Sequence, residues 1–158
     1  MPLVPATLAS SLENNWLVPD GGSYPGSPAE SGDRFAQAVS EWFAGALAAG
    51  FPCATATARQ GQLAASAAAA FAAMNAASAG MLLALGLMGY MAGQVFGAGV
   101  ASPPAGVGAA QSVFVSVFSD TQSANATRAQ QMATAIHTLA VTTIVIFPPL
   151  ISPPAPVL

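Results

Sequence analysis

The sequence predicts an all-α fold, a helical bundle with extended Pro-rich N- and C-terminal arms, and three observations carry that prediction. Apolar residues recur at three- and four-residue spacing through most of the chain. No proline falls between Pro52 and Pro103, while Pro148 to Pro156 holds five. Alanine dominates the middle, where it costs a helix least. The division that follows is an N-terminal arm over 1–27, a bundle over 28–147 and an extended arm over 148–158.

Within the first arm, Val4, Leu8 and Leu12 predict a short helix after Pro5, and VPDGGSYPGSP then reads as a turn-rich connection. At SPAE, Ser27 can cap a helix, Pro28 suits its first turn and Glu30 stands where a capping-box acid reaches back. Phe35, Val39, Trp42, Phe43 and Leu47 make one apolar stripe on that helix, with Gly50 as its stop. Phe35, Trp42 and Phe43 are the expected anchors of the core.

From about Thr57 to Phe96 the chain reads as one long helix or two in series, with Gly80, Gly86 and Gly89 as candidate breaks. Met74, Met81, Met88 and Val95 repeat every seven residues, with Phe71, Ser78, Leu85 and Ala92 offset by four, which predicts a packing seam. Gly89, Gly93 and Gly97 stand four apart, so one helical face would lack side chains and admit a second backbone closely. The alanine run at 67–70 would act in the same way.

Ser102, Pro103 and Pro104 can start a further helix through Val107, Phe114, Val117 and Phe118, although the alternation in VFVSVF (113–118) also fits a short strand. After SDTQS, a last helix should carry Met132, Ile136, Leu139, Ala140, Ile144 and Phe147 and stop at Pro148. PPLISPPAPVL can then form only an extended, polyproline-like arm. Pro148, Pro149, Leu150, Ile151, Pro153 and Pro154 are the residues expected to lie on a partner.

Charge is the component that is missing. Charged residues are 6% of the chain against a usual value of roughly 25%, and no lysine is present. Arg59 to Asp120 encloses no charged side chain, and beyond Arg128 the only titratable one is His137. A solvated monomer normally carries both signs across its surface, so much of this surface is expected to be covered. Nucleic acid is a poor cover, because Arg34, Arg59 and Arg128 are scattered and the net charge is -3.

No catalytic, cofactor or metal site is expected. A single cysteine, Cys53, excludes an intramolecular disulfide and a Cys-based metal cluster. Cys53 and His137 are the only candidates for a nucleophile and base, and nothing in the sequence adds an orienting group; packing roles are expected for both. Asp20 with Gly21 and Gly22, and Glu30 with Asp33, lack the spacing of a calcium loop and read as turn and cap residues. No phosphate-loop, dinucleotide or HExxH motif occurs. The opening residues lack the basic and apolar regions of a secretory signal, so synthesis in the cytoplasm without export is expected.

Two covers remain. A lipid reading would span with 79–100 and, as a second segment, 133–150, giving a small oligomeric membrane protein, a helical hairpin able to form a pore. Against it, no Lys or Arg flanks either segment, Trp16 and Trp42 lie far from both, and five polar residues dot the second. A protein reading has small side chains packing helices within and between subunits, with the arms tying neighbours together.

WLVPDGG, the aromatic helix AVSEWFAGALAAG and the ending FPPLISPPAPVL, around an alanine-glycine middle, resemble small virion proteins of tailed bacteriophages and phage-tail-like contractile particles. That resemblance implies a structural subunit without an active site, assembled in the bacterial cytoplasm into a particle. Its partners would be copies of itself and other particle proteins.

Overall fold

The computed structural model describes residues 3–18 and 22–158. It is mostly helical, with six α-helices, but it also holds six short strands in two small sheets, which corrects the all-α expectation. The helices are α1 (Pro5–Leu12), α2 (Pro28–Phe43), α3 (Gln60–Phe71), α4 (Ala76–Met91), α5 (Val107–Ser119) and α6 (Asn125–Val141). Each from α2 onward packs on the next, α6 packs on α1, and α1 returns to α2, so the bundle closes on itself. A single π-turn over Glu13–Leu17 extends α1.

The starts follow from local chemistry. Ser27 Oγ accepts from the Glu30 N–H at 3.1 Å, while the Glu30 carboxylate accepts from the Gly26 N–H at 2.7 Å and pairs with Arg34 at 2.5 Å. Between α3 and α4 the break falls at Ala72–Asn75 and not at a glycine, because the Asn75 side chain caps α4 by accepting from the Ser78 N–H at 2.8 Å. Gly80, Gly86 and Gly89 all lie inside α4. Residues 113–118 lie within α5 and are helical.

Two expected helices stop early because strands take over. β1 (Leu47–Ala48) and β2 (Phe51–Pro52) form a hairpin whose turn residues Ala49 and Gly50 both have positive φ, at 49° and 84°, so α2 ends at Phe43 instead of Gly50. α6 ends at Val141, where an unbroken run of β-branched residues, Val141 to Ile146, favours extended backbone. Ile144 and Phe147, expected on that helix, belong to β5 (Ile144–Ile146) and the residues after it.

β3 (Val95–Phe96), β4 (Gly99–Ala101), β5 and β6 (Ala155–Pro156) make a four-stranded antiparallel sheet in that order. Both of its outer strands find partners. Cys53 bridges Phe96 and the Ala54 N–H donates to Val95 at 2.8 Å, while Leu47 and Leu158 exchange backbone bonds at 2.9 and 2.8 Å. The two sheets are thus linked at both ends into a ring of paired backbone capping one end of the bundle.

The core runs from bundle to ring. Phe35 packs edge-on to Trp16 and Phe71, Phe43 packs edge-on to Tyr90 and Phe96, and Trp42 donates its indole N–H to the Val4 carbonyl at 3.0 Å. Phe35 and Phe43 are fully buried, each worth about 1.5–3 kcal/mol relative to an exposed ring. Close helix approach uses glycines other than the expected row: a Cβ at Gly32 would lie 2.5 Å from the Ala64 carbonyl, and one at Gly80 would lie 2.8 Å from the Val115 nitrogen. Gly86 faces Ser66 in the same way.

Candidate interaction surface

The outward face of the four-stranded sheet is aliphatic across its width. Register places Val95 beside Val100, Val100 beside Ile146, and Ile144 beside Pro156. Alternation then turns Phe96, Ala101, Val145 and Val157 inward, where they are buried. Both faces being apolar, one toward the core and one toward the surroundings, is the unusual feature. Val100 and Ile146 are 50% and 58% exposed at the centre of a face that a solvated antiparallel sheet would make polar.

Beside this face rises the connection from β5 to β6. The Ile151 N–H donates to the Pro148 carbonyl at 2.9 Å, closing a turn with Pro149 at its second position and Leu150 at its apex, 100% exposed. Pro148, Pro149, Leu150, Ile151, Pro153 and Pro154 are all exposed on this connection. Residues 148–158 are therefore an exposed turn followed by a returning strand: Val157 is buried, its N–H donates to Thr143 at 3.1 Å, and the backbone of 155–158 is paired.

A second apolar surface lies on α4, where Met81 and Leu85 are exposed and Met88 half-buried. Of the heptad series expected as a packing seam, Met81, Leu85 and Met88 lie on this outer flank, because α4 turns Leu83, Ala84, Leu87, Tyr90 and Met91 to the core, whereas Phe71 packs on Trp16 and Phe35. The Gly89, Gly93 and Gly97 row does not form a helix-contact face. Gly89 lies in α4, Gly93 (φ 78°) follows its end, and Gly97 (φ 60°) sits in the β3–β4 turn over the Phe51 ring. Arg59 caps that helix end, its guanidinium donating to the carbonyls of Ala92 and Gly89.

Polar side chains are mostly spent on structure. Gln94, fully buried, accepts from Thr55 Oγ1 at 2.6 Å and Cys53 Sγ at 3.4 Å and donates to the Tyr90 carbonyl at 3.0 Å. Tyr90 Oη donates to the Ala56 carbonyl at 2.9 Å. Burial pushes the Cys53 thiol and the Tyr90 phenol above their ordinary values, so both stay protonated and Cys53 is a poor nucleophile. His137 stands edge-on to Trp42 and shares no hydrogen bond with Cys53. Among the described residues, no three His, Cys, Asp or Glu side chains converge on a metal position. Asp20 and Gly21 lie outside the described residues.

The paired strand at 155–158 departs from the extended, polyproline-like arm expected there, and the sheet face has no counterpart among the sequence expectations. The signal available was the β-branched run at 141–146, in which outward Ile144 and Ile146 and inward Val145 are all apolar. Alternation of polarity is absent there, so period-two patterning cannot reveal the strand. Comparisons with family models, with curated proteins and with solved structures returned no match to the chain.

Proposed function

We propose that this protein is a structural subunit of a large multi-copy assembly and works through contacts between subunits, with no catalytic step. The observation that carries the reading is the outward sheet face, aliphatic from Val95 to Pro156, with an exposed leucine on the turn beside it. Water contact with such a surface is unfavourable by about 25 cal/mol per Å2. A neighbouring protein that covers it removes that cost, which also accounts for a chain with so few charges.

The assembly we have in mind is a tailed-phage virion or phage-tail-like particle, on the resemblance of WLVPDGG, AVSEWFAGALAAG and FPPLISPPAPVL to such proteins. No helix among the described residues is long and apolar enough to cross a membrane. The segments 79–100 and 133–150, weighed as spans, each leave helix partway, at Met91 and at Val141.

Sedimentation velocity of the purified chain in detergent-free buffer, from about 1 to 500 μM, tests the reading. Species larger than one chain, growing with concentration and indifferent to added detergent, are the expected result. One compact single-chain species throughout would overturn it.

A further inference from the structure

We propose that β6 and the two residues after it exchange between copies of this chain: residues 155–158 leave their own slot beside β5 and fill the identical slot of a neighbouring copy. The proposal rests on the assembly role above and names the element that joins one subunit to the next.

The slot and its occupant are both visible within the single chain. On one side 155–158 pairs with β5, Ala155 beside Val145 and Pro156 beside Ile144, and the Val157 N–H donates to the Thr143 carbonyl at 3.1 Å. On the other side Leu158 and Leu47 exchange backbone bonds at 2.8 and 2.9 Å, and the Val157 side chain is fully buried. With the strand removed, β5 and Leu47 would face each other with unpaired N–H and C=O groups around the space of one missing valine. An extended segment with a small apolar residue at its third position fills that space. Residues 155–158 are such a segment, and every copy carries one.

The connection leading to the strand is built as a hinge. From Pro148 to Pro154 every residue except Ser152 is exposed. Among the described residues, the backbone bond that folds this connection back is the Ile151 N–H to the Pro148 carbonyl, at 2.9 Å. Phe147, Pro148, Ser152 and Pro153 each precede a proline, which keeps them extended whether the turn is closed or open. The change from one state to the other is therefore confined to Pro149, Leu150 and Ile151. Straightened at polyproline spacing, residues 147–154 reach about 25 Å, and their stiffness means that little freedom is lost when the arm is captured.

Exchange restores nearly everything that it breaks. Each body regains the β5 pairing, the Leu47 pairing and a buried valine from its neighbour, so the backbone ring closes again in every subunit and only the turn's bond is given up. Concentration decides between the two forms. A tethered strand has a high effective concentration at its own slot, so the closed form prevails in dilute solution and exchange takes over where copies are crowded together. The strand is thus a plug in the free subunit and a link in the assembly.

The test mixes two full-length variants, Leu47→Cys and Leu158→Cys, at about 500 μM, lets them equilibrate and oxidises them. Because their backbones exchange both hydrogen bonds, the two positions form an antiparallel pair with a Cα spacing of about 5.5 Å, within disulfide range. Met81→Cys mixed with Leu158→Cys measures random collision, since Met81 is exposed on α4. A mixed disulfide between chains at least about 10-fold above that control is the expected result. A yield equal to the control overturns the exchange. If the cysteine variants fail to fold, the unsubstituted chain decides: oligomers formed at about 500 μM and diluted to about 1 μM should take hours to separate, because each must release a paired strand, and separation within seconds overturns the proposal. Larger species without a mixed disulfide above the control sink the exchange and leave the assembly role standing, whereas a chain that stays single at every concentration sinks both.

Discussion

Leu47 and Leu158 exchange both of their backbone hydrogen bonds, at 2.9 and 2.8 Å, so the last strand is tied to the first hairpin and the two sheets become one ring. Val157, fully buried, is the side chain that fastens this closure from inside. Val157→Ala removes two methyl groups from a packed site and should cost about 2 kcal/mol, read as a lower urea midpoint at unchanged slope. An unshifted midpoint would show that the returning strand adds nothing to the fold.

Glycine substitutions separate close approach from open space. At Gly32 an added Cβ would meet α3 backbone, 2.5 Å from the Ala64 carbonyl and 2.7 Å from the Ala68 nitrogen, and backbone cannot move aside without parting α2 from α3. Gly32→Ala should therefore destabilise by about 2–3 kcal/mol. Gly61, in the first turn of α3, has nothing within 4 Å, so Gly61→Ala should stabilise by about 0.5 kcal/mol through the unfolded chain. Denaturant curves that moved in the same direction for both would contradict the α2–α3 packing.

What the sequence made legible, and what it hid, follows from the same physics. Ser27, Pro28 and Glu30 announce the start of α2 because a cap is local chemistry, and Phe35, Val39, Trp42 and Phe43 mark its buried face because helical period leaves a trace. The ring left no such trace. β1 and β2 are two residues each, Ala49 holds an uncommon positive φ, and the partners of Val95 and Leu47 lie far along the chain. The Gly89, Gly93 and Gly97 spacing misled because it spans the end of α4, which periodicity alone does not locate. On the interaction surface, the exposed prolines could be read from composition, but the Val100–Ile146 pairing could not.

The Cys53 thiol provides a probe of the joint between bundle and ring. It is buried, hydrogen-bonded to Gln94 Oε1, and pushed above the ordinary thiol range chiefly by burial. At pH 8 its reaction with a thiol reagent should be at least about 100-fold slower than in the unfolded chain, because reaction must wait for opening. Gln94→Ala, which removes the acceptor and leaves a gap, should accelerate labelling. A wild-type rate equal to that of the unfolded chain would contradict the burial.

Asp120 supplies the pH dependence. Its carboxylate is held at about 2, against 3.8 ordinarily, by the Ser123 hydroxyl first and then by the backbone N–H groups of Gln122 and Ser123, the latter two at 2.8 and 3.0 Å. A folded value below the unfolded one means that the ionised form binds its donors only in the native turn. The stabilisation is thus complete above about pH 4 and is lost as pH falls through about 2. Asp120→Asn keeps an acceptor oxygen in the turn but removes the titration. Melting temperatures of the wild type, referred to those of Asp120→Asn, should stay level from pH 7 to about 4.5 and then decline toward pH 2. Parallel decline of the two proteins across that window would show that the α5–α6 turn does not hold the carboxylate in its charged form.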